Sequence, residues 1–280
     1  MKKLISFVLT ATMLMGVVGC GNTTATNTDT QEPTTENVTA ADVNTEDDNA
    51  LVVGLDDEFP PMGFRDENND IVGFDIDLAK AAAEKMGVEV KFQPIDWDTK
   101  EVELETGKID LIWNGFSITD ERLEAMEFTN PYVKNKQIII VKNDSDIQSK
   151  ADLVGRNIGL QDGSSALDAV NADEMSSSLG DIATYATNIL AFTDLDLGRI
   201  EAVVADEIVA RYYLANNEND FRVIENGDFG DEVYGIAAKK GNTELITSLQ
   251  EALDELSSDG TATEISNKWF GEDIYEHPVN

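Results

Sequence analysis

The stretches Gly107-Lys108-Ile109-Asp110-Leu111-Ile112 and Gly198-Arg199-Ile200-Glu201-Ala202-Val203 share one order: glycine, base, isoleucine, acid and two apolar residues. Each reads as a helix stop followed by a strand, because glycine takes the left-handed turn at a helix end without a Cβ penalty. Six matched positions are a weak repeat that chance also produces, but they suggest two lobes built on related plans. Working outward, Leu51 to Leu55 reads as a strand. Asp75 to Met86 places Ile76, Ala79, Ala83 and Met86 on one helical face and stops at Gly87, and Val88 to Phe92 reads as a strand again. Further strands are expected over Leu111 to Trp113, Ile138 to Val141, Asn157 to Leu160, Ala202 to Ala205 and Val233 to Ala237. Helices are expected over Asp120 to Met126, Ala166 to Ser178, Ile189 to Leu197, Glu207 to Asn216 and Thr243 to Ser258. The alternation implies α/β layers. In open α/β sheets ligands sit beyond the carboxyl ends of strands. Those ends carry Asn114 to Arg122 in one half and Asp206 in the other, so two polar patches facing across a cleft are expected.

The chain has 280 residues, 55 acidic against 20 basic, for a formal charge of −35. One or two packed lobes fit this length. The negative field repels phosphate backbones and anionic headgroups, which argues against nucleic acid and against broad contact with an acidic membrane surface. After residue 20 no apolar run approaches the roughly 20 residues that span a bilayer. Residues 1–20 have Lys2 and Lys3, an apolar stretch from Leu4 to Met15 and small residues before Cys20, the order of a secretory signal. Val17-Val18-Gly19-Cys20 resembles the bacterial lipobox, which implies lipidation of Cys20. Cys20 is the only cysteine, so no disulfide framework exists; a buried thiol with no role is the alternative. Residues 21–50 contain no Lys, Arg or aromatic residue and offer only Val38 and Val43 as sizeable apolar groups. Such a stretch cannot offset its ordering entropy, and as a coil it spans roughly 30 Å, which suits a tether.

Thr119 is placed to cap a helix beginning at Asp120, with Asp120 and Glu121 complementing its dipole. Arg122 opposes that dipole. It reads either as a carboxylate clamp beside free backbone N–H groups or as a surface arginine paired with Glu121 or Glu124. Asp206 follows four apolar residues, Ala202 to Ala205. Its carboxylate can pair with an α-ammonium or cap the helix starting near Glu207, and the two roles are compatible. Together Arg122 and Asp206 would hold both charges of a zwitterion from opposite lobes, which gives binding a reason to close the cleft.

Four segments in order carry a family resemblance. Leu51 to Asp56 with Pro60-Pro61-Met62-Gly63-Phe64, Val72 to Leu78, Ser117 to Arg122, and Lys268-Trp269-Phe270-Gly271 resemble the polar amino-acid-binding family of bacterial extracellular solute-binding proteins, the substrate-binding lipoproteins of ABC importers. The resemblance implies a two-lobed α/β fold of the periplasmic-binding-protein type II, with two crossover hinge strands. It puts lobe 1 at 51–132 and 236–275, lobe 2 at 137–232 and the hinge near 132–136 and 233–235. It implies that Arg122 binds the α-carboxylate and Asp206 the α-ammonium. Asn114, Gly115, Phe116, Ser117, Gln161 and the loop Gly163-Ser164-Ser165 would assist, and Phe59 and Trp97 would sandwich the ligand's side chain. Asp56 falls where the family contacts that side chain, whereas three acids in a row, Asp56-Asp57-Glu58, are otherwise a solvated loop. A carboxylate with aromatic faces favours a basic or amide side chain and disfavours an acidic one. Ala205 and Ala166 are small where relatives often carry polar groups, so the particular amino acid stays open.

The expected protein is therefore an extracytoplasmic monomer, lipid-anchored at the outer face of the membrane, that hands a free amino acid to an importer's permease. No cofactor or metal is expected. An enzyme on this fold is disfavoured because Cys20 would be lipidated and His277 lies near the C-terminus among Glu276 and Pro278. A sensor module would ordinarily continue into a transmembrane segment, whereas this chain stops soon after Trp269-Phe270.

Overall fold

The computed structural model describes residues 50–215 and 220–277. The expected signal segment, Cys20 and residues 21–49 of the expected tether lie outside them. In chain order the elements begin with β1 (Leu51–Leu55), β2 (Glu58–Phe59), β3 (Gly63–Arg65), β4 (Ile71–Val72), α1 (Phe74–Met86), β5 (Val90–Pro94), α2 (Lys100–Glu105) and β6 (Leu111–Ile112). They continue with α3 (Asp120–Ala125), β7 (Met126–Phe128), β8 (Val133–Lys142), β9 (Ile158–Gln161), α4 (Ser165–Ala172), β10 (Ile182–Tyr185), α5 (Asn188–Asp196) and β11 (Ala202–Asp206). The last are α6 (Glu207–Ala215), β12 (Phe221–Val223), β13 (Asp231–Tyr234), β14 (Ala237–Lys239), α7 (Thr243–Ser258) and α8 (Thr261–Phe270).

Two mixed sheets result, ordered β5-β1-β6-β14-β7 and β10-β9-β11-β8-β12, with β13 pairing β8 and a small β2-β3-β4 meander beside the first. The first packs its core under α1, α7 and α8 through Leu78, Ala82, Leu249, Leu253, Leu256 and Ala262. The second is buried on both faces. Ile139 and Val141 of β8 join Val204 on one side, and Ile138 and Ile140 join Val203 and Ala205 on the other. An unbroken apolar run is what a strand covered on both faces requires.

The chain passes between the sheets twice, from β7 into β8 and from β13 into β14, and β8 and β13 pair antiparallel from Val133–Tyr234 to Lys136–Asp231. The strand expected over Val233 to Ala237 is thus two strands in different sheets. Gly235 N donates to Phe116 O and Tyr132 N to Tyr234 O, at 2.9 Å each, which turns the chain out of one ladder and into the other. The helix expected to reach Ser178 stops at Ala172, where Asp173 accepts Met175 N in an Asx turn and is held by Lys150. The first lobe's second strand starts at Val90 rather than Val88 because Val88 N caps α1 by donating to Ala83 O.

The repeated sequence order corresponds to a repeated structure. Gly107 and Gly198 have φ of 74° and 68°. After them Lys108 N donates to Glu103 O and Arg199 N to Asp194 O, and the two bases pair with those same acids at 2.8 and 2.7 Å. The acids that follow act alike as well: Asp110 Oδ2 accepts Val52 N at 2.8 Å and Glu201 Oε2 accepts Asn157 N at 2.7 Å. Each lobe fastens its central strand to its neighbour by the same device.

Candidate functional site

The loop leaving β6 is held from below by a buried acid. Asp75 accepts Gly115 N at 2.7 Å and Tyr132 Oη at 2.9 Å. Burial pushes its pKa up to about 7, against the pull of those two hydrogen bonds. Gly115 has φ of 56°, and a Cβ there would come within 2.9 Å of the Phe59 ring, so the loop needs glycine at this point. Asn114 Oδ1 accepts Asp56 N at 2.6 Å, which ties the loop to the end of β1. Thr119 Oγ1 accepts Arg122 N at 3.2 Å and starts α3 as its cap.

This loop delivers Arg122 into the interior. Arg122 is 5 % exposed, with Nη1 donating to Ser117 O at 3.0 Å, Nη2 to Gly163 O at 3.4 Å, and Cζ 4.3 Å from the centroid of Phe116. Desolvation lowers its pKa. Among the described residues no carboxylate lies in salt-bridge range of it, so the surface pairing with Glu121 or Glu124 is not what the fold adopts. Phe116 is itself fixed by edge-on contact with Trp97 and stacking on Phe128.

Asp206 ends β11 in the other sheet and is 5 % exposed. Its Oδ1 accepts Tyr234 Oη at 2.8 Å, Gln137 Nε2 at 3.0 Å and Asn135 Nδ2 at 2.5 Å. Its partners are thus side chains of β8 and β13, and among the described residues no backbone N–H of α6 is one of them. The same two amides also donate to Glu232 Oε1, Gln137 at 2.7 Å and Asn135 at 2.5 Å. Burial, then the neighbouring charge of Glu232, pushes Asp206 well above the usual carboxylate range. Ser165 Oγ lies 3.0 Å from Ser117 Oγ and accepts Gln137 Nε2 at 3.2 Å, so α4 touches both the Arg122 loop and the Asp206 cluster.

A third group lies at the ends of β1 and β9. Asp56 is 5 % exposed, accepts Glu58 N at 2.9 Å and, across the seam between the two sheets, Gln161 Nε2 at 2.7 Å. Burial raises its pKa to about 6. Asn188 Nδ2 donates to Gln161 Oε1 and orients that amide. Only Asp56 of the acid triplet turns inward; Asp57 pairs with Arg65, and Glu58 is exposed. A cavity of about 620 Å³ opens beside this group, lined by Asp56, Trp97, Asp98, Asp162, Tyr185 and Thr187 among others.

The fold therefore brings Ser117, Phe116, Arg122, Gly163 and Ser165 together in one group and Asp56, Asn114 and Gln161 in another, with Trp97 touching Phe116 of the first and lining the cavity beside the second. Phe59 is buried against the Gly115 loop. Ser164 faces its own lobe, capping α4 through Leu167 N and donating to Gln161 O at 2.6 Å. Sequence reading missed Asp75, Lys100, Asn135, Gln137, Glu232 and Tyr234. Asn135 and Gln137 had a usable signal, two amides at i and i+2 entering an apolar strand, which puts both on one face.

The family model of the bacterial extracellular solute-binding proteins, family 3, matches residues 51–272. The L-cystine-binding protein TcyJ of Escherichia coli K12 is 30% identical over 226 residues, covering 80% of this chain and 84% of that protein. The ABC transporter arginine-binding protein 1 of the same organism is 34% identical over 221 residues, covering 78% and 89%. A crystal structure of an ABC uptake transporter substrate binding protein from Streptococcus pneumoniae with bound histidine superposes with a TM-score of 0.78 at 40% identity, covering 81% of this chain and 94% of that one.

Proposed function

The chain belongs to the bacterial extracellular solute-binding proteins of family 3, and on that premise we propose that it is the substrate-binding component of an amino-acid ABC importer. The relatives reported above are named as binding cystine and arginine, or were solved with bound histidine. The observation that carries the reading is the separation of charge inside one seam. Among the described residues Arg122 is buried and donates hydrogen bonds only to carbonyls, and Asp206 is buried and accepts them only from neutral donors. Each lacks its counter-ion, and a zwitterion supplies both: carboxylate to Arg122, ammonium to Asp206. Ser117, Ser165, Phe116 and Gly115 shape the zwitterion's seat, and Gly163 and Ser164 position the facing loop. Phe59 and Trp97 flank the side chain, with Asn114 and Gln161 presenting Asp56 to its tip. The raised pKa of Asp56 and the acidic cavity beside it favour a cationic side chain, with an amide next.

Lobe 1 comprises 51–132 with 236–275 and lobe 2 comprises 137–232, turning about 132–136 and 233–235, the segments that join the two sheets. Cys20 anchors the protein to the outer face of the membrane through its lipid, and the permease of the importer receives the cargo. A thermal-shift screen of the purified protein against all common amino acids tests the reading. A ligand at 100 times its dissociation constant adds about 2.7 kcal/mol to stability. Absence of a shift with every amino acid would sink it.

A further inference from the structure

Lys100 is a second buried cation beside Arg122. It opens α2, is 3 % exposed, and its Nζ donates to Trp97 O at 3.1 Å and to Gly163 O at 2.8 Å. Gly163 O is also the acceptor of Arg122 Nη2 at 3.4 Å, so two positive groups from the first lobe's elements converge on one neutral carbonyl of the second. Nothing local calls for a lysine here. A cation at a helix start opposes the macrodipole, and a buried ammonium without a carboxylate partner costs stability. Among the described residues no acid is in salt-bridge range of either cation. Its Nζ lies over the rings of Trp97 and Phe116, 5.2 and 6.0 Å from their centroids, the same Phe116 that Arg122 covers. Burial, then repulsion by Arg122, lowers the lysine's pKa to about 8, still above neutral pH.

We infer that Lys100 is a second cation of the carboxylate subsite, taking one carboxylate oxygen of the ligand while Arg122 takes the other, and so sets a preference for free amino acids over α-amides or esters. The inference rests on the amino-acid-binding reading above. A carboxylate has two oxygens and a full negative charge, which neutralises both groups where one carbonyl cannot. An α-amide leaves the two cations facing a neutral group, and their mutual repulsion is then not relieved.

The test is titration calorimetry of wild type and Lys100→Met with L-arginine, L-histidine and the α-amide of each. Methionine keeps the apolar stem among Trp97 and Phe116, and Lys100→Gln serves for the same comparison if the methionine variant does not fold. The dissociation constant for the free acid is expected to rise about 10- to 100-fold, as for loss of one charge-assisted hydrogen bond, while that for the amide changes less than about 3-fold. Equal losses for acid and amide would show that Lys100 only latches Gly163 O across the seam. Unchanged affinity for both would leave it as packing, and either result overturns the inference. Wild-type protein that binds no amino acid overturns the underlying reading and the inference with it; wild-type binding without acid-selective loss overturns the inference alone.

Discussion

Gln161 Nε2 donates to Asp56 Oδ2 over 2.7 Å, from the end of a strand in one sheet to the end of a strand in the other. The pair places a buried carboxylate at the seam with a single interlobe partner that is neutral. On the proposed function a cationic ligand group would compete for that same carboxylate. Asp56→Asn is expected to weaken L-arginine about 10- to 100-fold, the worth of one hydrogen bond to a charged group, and to change L-glutamine by less than about 5-fold. Calorimetry with both ligands checks it; parallel losses would mean that Asp56 only shapes the loop.

On the proposed function, Arg122→Ala and Asp206→Ala each remove one principal partner of a buried ligand charge, leaving Lys100 or Glu232 as the remaining one. Removing one member of a buried charge pair costs about 2–5 kcal/mol, so each variant is expected to lose at least about 30-fold in affinity. Near-normal binding in either variant would remove the zwitterion clamp.

Asp206 and Glu232 share the donors Asn135 Nδ2 and Gln137 Nε2, with Tyr234 Oη on Asp206 as well, and both carboxylates act on Arg122 through space. Burial and Glu232 disfavour the ionised form of Asp206, and an ammonium placed against it would favour that form. Amino-acid binding is therefore expected to release protons, and affinity to fall as pH is lowered. Calorimetry in phosphate and in Tris should give different apparent enthalpies, and Glu232→Gln should bring them together. Identical enthalpies in the two buffers for the wild type would contradict this.

Stability without ligand has the opposite sign of pH dependence from that of an ion-paired acid. Asp75 moves from 3.8 to about 7 and Asp56 to about 6, so the folded state holds protons that the unfolded chain has lost. Stability is full below the unfolded value and declines as pH rises towards the folded one, by up to about 1.4 kcal/mol per unit and per group. Urea melts from pH 5.5 to 7.5 should show falling stability, and Asp75→Asn should flatten the upper part of that range. A rise over the same interval would refute the assignment.

Gly115→Ala puts a Cβ against the Phe59 and Tyr234 rings at a φ of 56°. The left-handed conformation costs an L-residue about 1–2 kcal/mol before any clash. Since Gly115 N is the anchor to Asp75, the loop shifts and carries Ser117 and Arg122 with it. Both melting temperature and affinity should drop; a drop in stability with unchanged affinity would mean that the loop recovers its position on binding.

Local chemistry was legible where it repeats along the chain. The left-handed stops at Gly107 and Gly198, the apolar strands that follow them, the Thr119 cap and the polar residues just beyond β6 and β11 all follow from spacing within a few residues. Those spacings, with the ordered family motifs, were enough to place Arg122 and Asp206 at the ends of two sheets. What spacing could not give is which groups share a buried environment. Glu232 meets Asp206 because β8 and β13 cross between sheets as a pair, and Lys100 meets Arg122 because the loop at Gly163 folds over both. Each of these depends on desolvation and on partners brought from distant segments. The sequence by itself thus determined the two lobes and one residue of each charge; the tertiary structure alone decided that each of those residues has a like-charged neighbour, because burial and Coulomb interaction act through space, where sequence separation counts for nothing.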